Sequence, residues 1–295
     1  MTLIELVTAQ SARLKQAGVC FGHGTGNAFD EAAWLVLWAL GLPLESLEER
    51  AQHRLSASQQ ATAEALLTQR IVSRRPAAYL TNQAWLQNIP FFVDERVLVP
   101  RSYIAELLAD GEGEGTLDAW LSEQTHRVLD LCTGSGCLAV IAAMAYPDIV
   151  VDASDVSTAA LEVARINVEK HGLAQRIRLL QSDLLAQARG PYDLIVCNPP
   201  YVTQASMNAL PAEYRAEPAL ALQGGHDGMD LVRVIVRDAA HSMTNDAVLV
   251  LEIGHERAHF ESAFPRLEVA WLETSGGDDR VLLVTRDSLQ RWVSR

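Results

Sequence analysis

Three amphipathic stretches open the chain. Leu3, Leu6, Val7 and Leu14 recur at spacings that share one helical face. Ala32-Ala33-Trp34-Leu35-Val36-Leu37-Trp38 follows Asp30, a favoured capping residue, and Gly41 with Pro43 predicts where that second helix stops. A third run, Ala61 to Val72, again has helical spacing. Residues 1–78 thus read as a helical domain. The glycine-rich segment Phe21-Gly22-His23-Gly24-Thr25-Gly26 reads as a connector, because it lacks the following lysine and preceding strand of a phosphate loop.

The pattern changes at residue 79. Trp85, Phe91, Phe92, Val93, Val97, Leu98 and Val99 predict paired strands, with Asp94-Glu95 at the turn, and Pro100-Arg101 leads into a short helix. Residues 79–110 therefore read as a β-hairpin and connecting helix. Asp110 to Gly115 is a polar, flexible loop. From Arg127 onward, strand and helix patterns alternate. Strands are predicted at 128–131, 149–153, 177–180, 194–197, 247–252, 267–272 and 281–284. Helices are predicted at 137–145, 158–170 and 228–240. This alternation implies an α/β, Rossmann-like unit over 111–295, a mainly parallel sheet with helices on both faces. Ligands of such sheets bind beyond the carboxyl ends of the strands, where the strand order reverses.

Composition narrows the classes. The 295 residues are 49% hydrophobic, enough for one large or two modest cores, and the formal net charge is −13. That charge argues against non-specific grip on nucleic acid, which depends on neutralising phosphates with Lys and Arg. The four cysteines form no Cys-x-x-Cys pair, so no zinc site is expected and a reducing compartment fits. No basic-then-apolar leader and no bilayer-length apolar stretch is present. The expectation is a soluble cytoplasmic protein without metal or membrane.

Two loops carry the candidate chemistry. Asp130-Leu131-Cys132-Thr133-Gly134-Ser135-Gly136 joins a strand to a helix. Its glycines allow a ligand close to the backbone, at a helix N-terminus. Asp155, nineteen residues beyond Gly136, ends the next strand and could accept bonds from both hydroxyls of a ribose; its bland reading is a helix cap. Asp183 ends the third strand and could pair with the exocyclic amine of an adenine, with Leu184 against the ring. Gly134 to Ala139 also fits the looser dinucleotide pattern, which keeps a nicotinamide dehydrogenase open. The second loop, Asn198-Pro199-Pro200-Tyr201, follows an apolar strand. Its prolines fix the backbone and remove two donors. The Asn198 side-chain oxygen and Pro199 carbonyl are then acceptors for one –NH2 group, and Tyr201 offers a flat face to a conjugated amide or base. The bland reading is a rigid turn. A hydride transfer has no use for this second loop.

These residues resemble class I S-adenosylmethionine-dependent methyltransferases. More narrowly, the chain resembles the protein-glutamine methyltransferases that modify release factors and ribosomal proteins, over nearly its whole length. Asn-Pro-Pro-Tyr is shared with DNA adenine methyltransferases, so alone it implies amino-group methylation, not the substrate. Phe21 to Gly26 and Val93-Asp94-Glu95-Arg96-Val97-Leu98-Val99-Pro100-Arg101-Ser102 look like the branch acting on large-subunit ribosomal protein L3. The segments Glu217 to Leu222 and Gly224 to Gly228 fit both glutamine branches. Ser102-Tyr103-Ile104-Ala105 departs from the release-factor pattern, and Tyr103 also replaces a proline of the ribosomal branch. The resemblance implies S-adenosylmethionine as cofactor, held by Asp130, Cys132, Thr133, Gly134, Ser135, Gly136, Asp155, Asp183, Leu184 and Asn198. It implies catalysis by Asn198, Pro199, Pro200 and Tyr201, and a basic ribosomal protein as partner, with no stable nucleic-acid binding. Arg101 falls near the substrate entrance or in a surface ion pair. Release-factor methylation, DNA adenine methylation and a non-catalytic nucleoside-binding assembly factor stay open as alternatives.

Overall fold

The first helix, Leu3–Gln16, begins at a capping box made by Thr2 and Glu5 and buries Leu3, Leu6, Val7 and Leu14. These pack with Trp34, Leu35 and Leu37 of helix Ala28–Ala39 and Leu67 of helix Ala57–Ser73. The computed structural model describes residues 1–109 and 117–294; the polar loop expected at Asp110 to Gly115 lies outside the described residues. Two helix starts differ from the sequence reading. The second helix is capped by Asn27, whose side chain accepts from the amides of Phe29 and Asp30. Asp30 instead sits in the first turn, where an acid favours the positive end of the helix. The third begins at Ala57 behind a Ser56–Gln59 capping box, four residues before the apolar run that marked it.

The hairpin is also displaced. Strands β1 (Ala84–Leu86) and β2 (Ile89–Phe91) pair antiparallel. Gln87 and Asn88, both at positive φ, form the two-residue turn. Asp94-Glu95 is therefore not the hairpin turn, and Val97 to Val99 join no strand. The Asp94 carbonyl accepts from Val97 N and its carboxylate grips Arg96, which closes a separate turn. Buried apolar residues read as strand by pattern alone, but here side chains occupy the backbone groups, with Glu217 accepting from Val99 N. Tyr79 Oη of helix Ala77–Thr81 takes the Val97 carbonyl instead.

The second unit holds a seven-stranded sheet. Its strands are β3 (Arg127–Leu131), β4 (Val150–Asp155), β5 (Ile177–Gln181), β6 (Tyr192–Cys197), β7 (Met243–Glu252), β8 (Ala270–Thr274) and β9 (Gly277–Thr285). The order is β5-β4-β3-β6-β7-β9-β8, parallel from β5 to β7, with β9 antiparallel to both β7 and β8. Alternate residues serve opposite faces. Val128, Leu194, Val196, Val248 and Val250 pack with helices Ile104–Ala109 and Cys137–Ala145. Leu129, Ile195, Leu249 and Leu251 pack with Asp230–Asp238, Arg257–Ala263 and Arg286–Val293. Helix Thr158–Lys170 bridges the units: Ala160 and Val163 join the helical domain's core, and Val168 joins the sheet's. β8 begins at Ala270 rather than Leu267, and helix Asp230–Asp238 starts two residues after the position read from pattern. The chain order reverses between β3 and β6, which places the ligand crevice beyond their carboxyl ends.

Candidate active site

A cavity of about 280 Å³ opens at that reversal. Leu131, Cys132 and Gly134 line it from the end of β3, Ser154 to Ser157 from β4, Ser182 to Leu184 from β5, and Asn198 and Pro200 from β6. Arg96 to Leu98 and Pro218, Leu220 and Ala221 complete the rim.

The glycine loop is shaped from beneath. Cys132, Gly134 and Gly136 all have positive φ. At Gly136, where φ is +79, a Cβ would come within 3.1 Å of the Ala164 methyl, so a side chain there would be both strained and crowded against that helix. No atom lies within 4 Å of where a Gly134 Cβ would point, and this residue faces the cavity. Asp130 is buried under the loop, bonded to Thr133 Oγ1 and to Ala139 N at 3.0 Å. Burial pushes its carboxyl up to about 7. Asp130, Thr133, Ser135 and Gly136 lie behind the cavity wall; they order the loop, while Cys132 and Gly134 form its surface. Asn167 locks Ser135 O at 2.8 Å and clasps Phe92 on both its N–H and its C=O.

Asp155 lines the cavity and accepts one bond on each oxygen, from Gly134 N and Ser157 N, both at 2.9 Å. Burial raises its carboxyl above the usual range. The cap of helix Thr158–Lys170 is Ser157, so Asp155 does not serve as that cap. Each oxygen keeps a lone pair, enough for the two hydroxyls of a ribose. Asp183 is exposed at the rim, and Leu184 is nearly buried at positive φ. Ser182 holds them, donating to Leu184 O and accepting from Gln187 N. These groups suit a nucleoside whose base lies against aliphatic carbon.

The Asn198-Pro199-Pro200-Tyr201 loop leaves the end of β6 and is braced by residues 222–230. Val202 N donates to Leu222 O, Gly224 N to Val202 O and Gln204 N to Gly225 O. A Cβ at Gly228 would lie 2.2 Å from Tyr201 O, and one at Gly224 2.6 Å from Tyr201 Cα. The Tyr201 ring lies on Gly254, and burial raises its phenol above its ordinary value. Tyr201 and Pro199 are outside the cavity wall, while Asn198 and Pro200 are in it. Among the described residues, no donor reaches the Asn198 side chain or the Pro199 carbonyl.

Sequence reasoning missed the carboxylates that hold this half together. Glu217 pairs bidentately with Arg101 at 2.6 and 2.7 Å, so Arg101 is not a surface ion pair. Burial alone would raise the Glu217 carboxyl, but His23 and Arg101 outweigh it and hold it down to about 2. Glu213 meets Arg70, Arg74 and Cys20 N of the helical domain. Glu252, at the end of β7, accepts from Ser102 Oγ and Tyr103 N, and burial pushes it up to about 7. A single sequence carries no signal for these pairs, since the partners are more than a hundred residues apart.

Fold and site together define a class I methyltransferase, whose cofactor is of the S-adenosylmethionine type. Residues 113–251 match the methyltransferase small domain, and residues 5–81 the PrmC N-terminal domain. A ribosomal protein uL3 glutamine methyltransferase of Bordetella pertussis is 53% identical over 98% of this chain and 96% of its own. One of Neisseria meningitidis serogroup B is 50% identical over 98% and 94%. The chain belongs to the ribosomal protein uL3 glutamine methyltransferase family. The catalytic domain of hMettl16, solved with the MAT2A 3'UTR hairpin 6, shares the fold at 14% identity, with a TM-score of 0.50 over 77% of this chain and 81% of that one.

Proposed function

We propose that this chain moves the methyl group of S-adenosylmethionine to the side-chain amide nitrogen of a glutamine in ribosomal protein uL3. One observation carries the chemistry. Among the described residues, no donor engages the Asn198 side-chain oxygen or the Pro199 carbonyl, two acceptors that follow β6; Asn198 lines the cavity and Pro199 is its neighbour in the chain. A glutamine –NH2 has two protons to give them.

When bound, the cofactor supplies an electrophilic methyl on a sulfonium sulfur. The amide nitrogen is a poor nucleophile because its lone pair is delocalised into the carbonyl. Alignment is then the main task, and it can contribute roughly 7–11 kcal/mol in well-oriented systems. Asn198 and Pro199 hold the two protons, which points the lone pair along one direction. They also stabilise the positive charge that grows on nitrogen as the N–C bond forms and the S–C bond breaks. That effect accelerates transfer insofar as it exceeds ground-state binding. The extra proton leaves to water afterwards, and neutral S-adenosylhomocysteine is the other product. Asp155 and Asp183 are the groups for ribose and adenine, and Tyr201 supports the loop from its seat on Gly254.

The substrate follows from the family and from charge. A net charge of −13 complements a basic, unassembled ribosomal protein and disfavours a stable hold on nucleic acid. Among the described residues, no helix is long and apolar enough to cross a membrane. We place the reaction in the cytoplasm, where a ribosomal protein would be met before assembly. Methyl-labelled S-adenosylmethionine, offered with unmethylated uL3, release factor or DNA in separate reactions, tests this. One methyl on a uL3 glutamine is expected. Label on release factor alone would move the substrate, and label on DNA would remove the glutamine assignment.

A further inference from the structure

Two segments far apart in sequence form the rim of the cavity. Arg96, Val97 and Leu98 make one lip; Pro218, Leu220 and Ala221 make the other. Neither lip belongs to the sheet, so strand pairing does not set their separation. Glu217 immediately precedes the second lip and bonds to residues immediately after the first. Its Oε1 accepts from Val99 N at 3.0 Å and from Arg101 Nη1 at 2.6 Å. Its Oε2 accepts from Arg101 Nη2 at 2.7 Å, and His23 Nε2 lies 3.3 Å away. Arg101 Nη1 also donates to the Val99 carbonyl at 3.2 Å. The carboxylate is fully buried. Bidentate, charge-assisted pairing is the strong and geometrically specific form of hydrogen bond. The second lip then runs into Leu222, whose carbonyl braces the Asn198 loop through Val202 N.

We infer that Glu217 is a positioning residue for methyl transfer: it cross-links the two lips and holds them at the separation that cofactor binding requires. It acts through Val99, Arg101 and Pro218. The inference rests on reading the cavity as the cofactor site, and the test separates the two.

Titration calorimetry with S-adenosylhomocysteine on the full chain is the measurement, run beside a thermal melt. Wild type is expected to bind; no binding by a folded wild type overturns the cavity reading and the clamp with it. Glu217→Gln keeps the shape but loses the charge on the Arg101 pair. We expect its Kd to rise at least tenfold while the melt stays cooperative. A purely structural role would lower the folded fraction but leave the Kd of what remains within twofold of wild type, and that result overturns the clamp. If the glutamine variant does not fold, amide exchange on wild type decides. A clamp that acts before ligand arrives leaves Val99 N–H protected in the free enzyme. Loop-like exchange there, with protection only after S-adenosylhomocysteine binds, would show that the ligand holds the lips.

Discussion

The two halves of the site are built differently. The cofactor half comes from the ends of β3, β4 and β5, and each strand feeds directly into the loop that lines the cavity. Its bonds are mostly local: Asp130 to Thr133 and Ala139, Asp155 to Ser157, Ser182 to Leu184 and Gln187. The acceptor half begins at β6 but is held by distant partners. Glu217 meets Arg101 from 116 residues away, Glu252 meets Ser102 from 150, and Glu213 meets Cys20 from 193. A nucleoside presents the same groups every time, and short strand-end loops suffice for it. The acceptor half is fastened instead to distant segments: Cys20, Arg70 and Arg74 of the helical domain through Glu213, and Arg101 and Ser102 of the connecting segment through Glu217 and Glu252.

The comparison predicts that catalysis and cofactor affinity can be separated by mutation. The largest effect is expected at Asn198. Asn198→Ala should lower kcat by about 10²–10³-fold, the range seen when one stabilising hydrogen-bond group is removed. The Kd for S-adenosylhomocysteine should stay within about threefold. Near-normal turnover would remove the acceptor role and merge the two halves.

Gly228→Ala comes next. Its Cβ would drive into Tyr201 O, and the position has φ +79. Overpacking of this kind costs about 1–3 kcal/mol. The displaced loop should lose about 10–100-fold in kcat, on the scale of one factor of ten per about 1.4 kcal/mol. Unchanged kcat with a lowered Tm would make the brace structural only.

Asp155→Asn probes the other half. The ribose-binding reading expects the Kd for S-adenosylhomocysteine to rise about tenfold, an energy of about 1.4 kcal/mol. The kcat at saturating cofactor should change by less than about threefold, on the reasoning that uniform binding alters affinity rather than turnover. A wild-type isotherm would assign Asp155 solely to holding Gly134 and Ser157.

The smallest effect on turnover is expected for Glu252→Gln, which keeps acceptors for Ser102 and Tyr103. Its readout is stability against pH. Burial raises the Glu252 carboxyl from 4.5 to about 7. Between those values the folded state keeps a proton that the unfolded state has released, so stability falls as pH rises. The glutamine variant should lack that fall and be more stable than wild type at pH 8 by about 1–3 kcal/mol. Parallel stability curves from pH 4.5 to 8 would show that Glu252 ionises freely in the fold. Glu217 contributes in the opposite sense and in a lower window. Its carboxyl is held at about 2, so its stabilisation is present above about 4.5 and is lost as pH falls towards 2.

The sequence by itself determined the alternation of strands and helices, the glycine loop, the acids at two strand ends and the Asn-Pro-Pro-Tyr turn. Each is a short-range pattern, in which a strand's apolar run and the loop chemistry after it lie within about ten residues. Cap chemistry shifted the helix starts at Asn27 and Ser56, since caps are polar and fall outside the apolar period. Tertiary structure alone decided that Val97 and Leu98 form a lip and Val99 follows it outside any strand, because side chains take their backbone groups: Tyr79 Oη the Val97 carbonyl and Glu217 the Val99 N–H. It alone decided that Glu217, Glu213 and Glu252 become buried partners rather than solvated acids. A carboxylate's neighbours are set by where the chain returns in space, and neither spacing nor hydropathy records that.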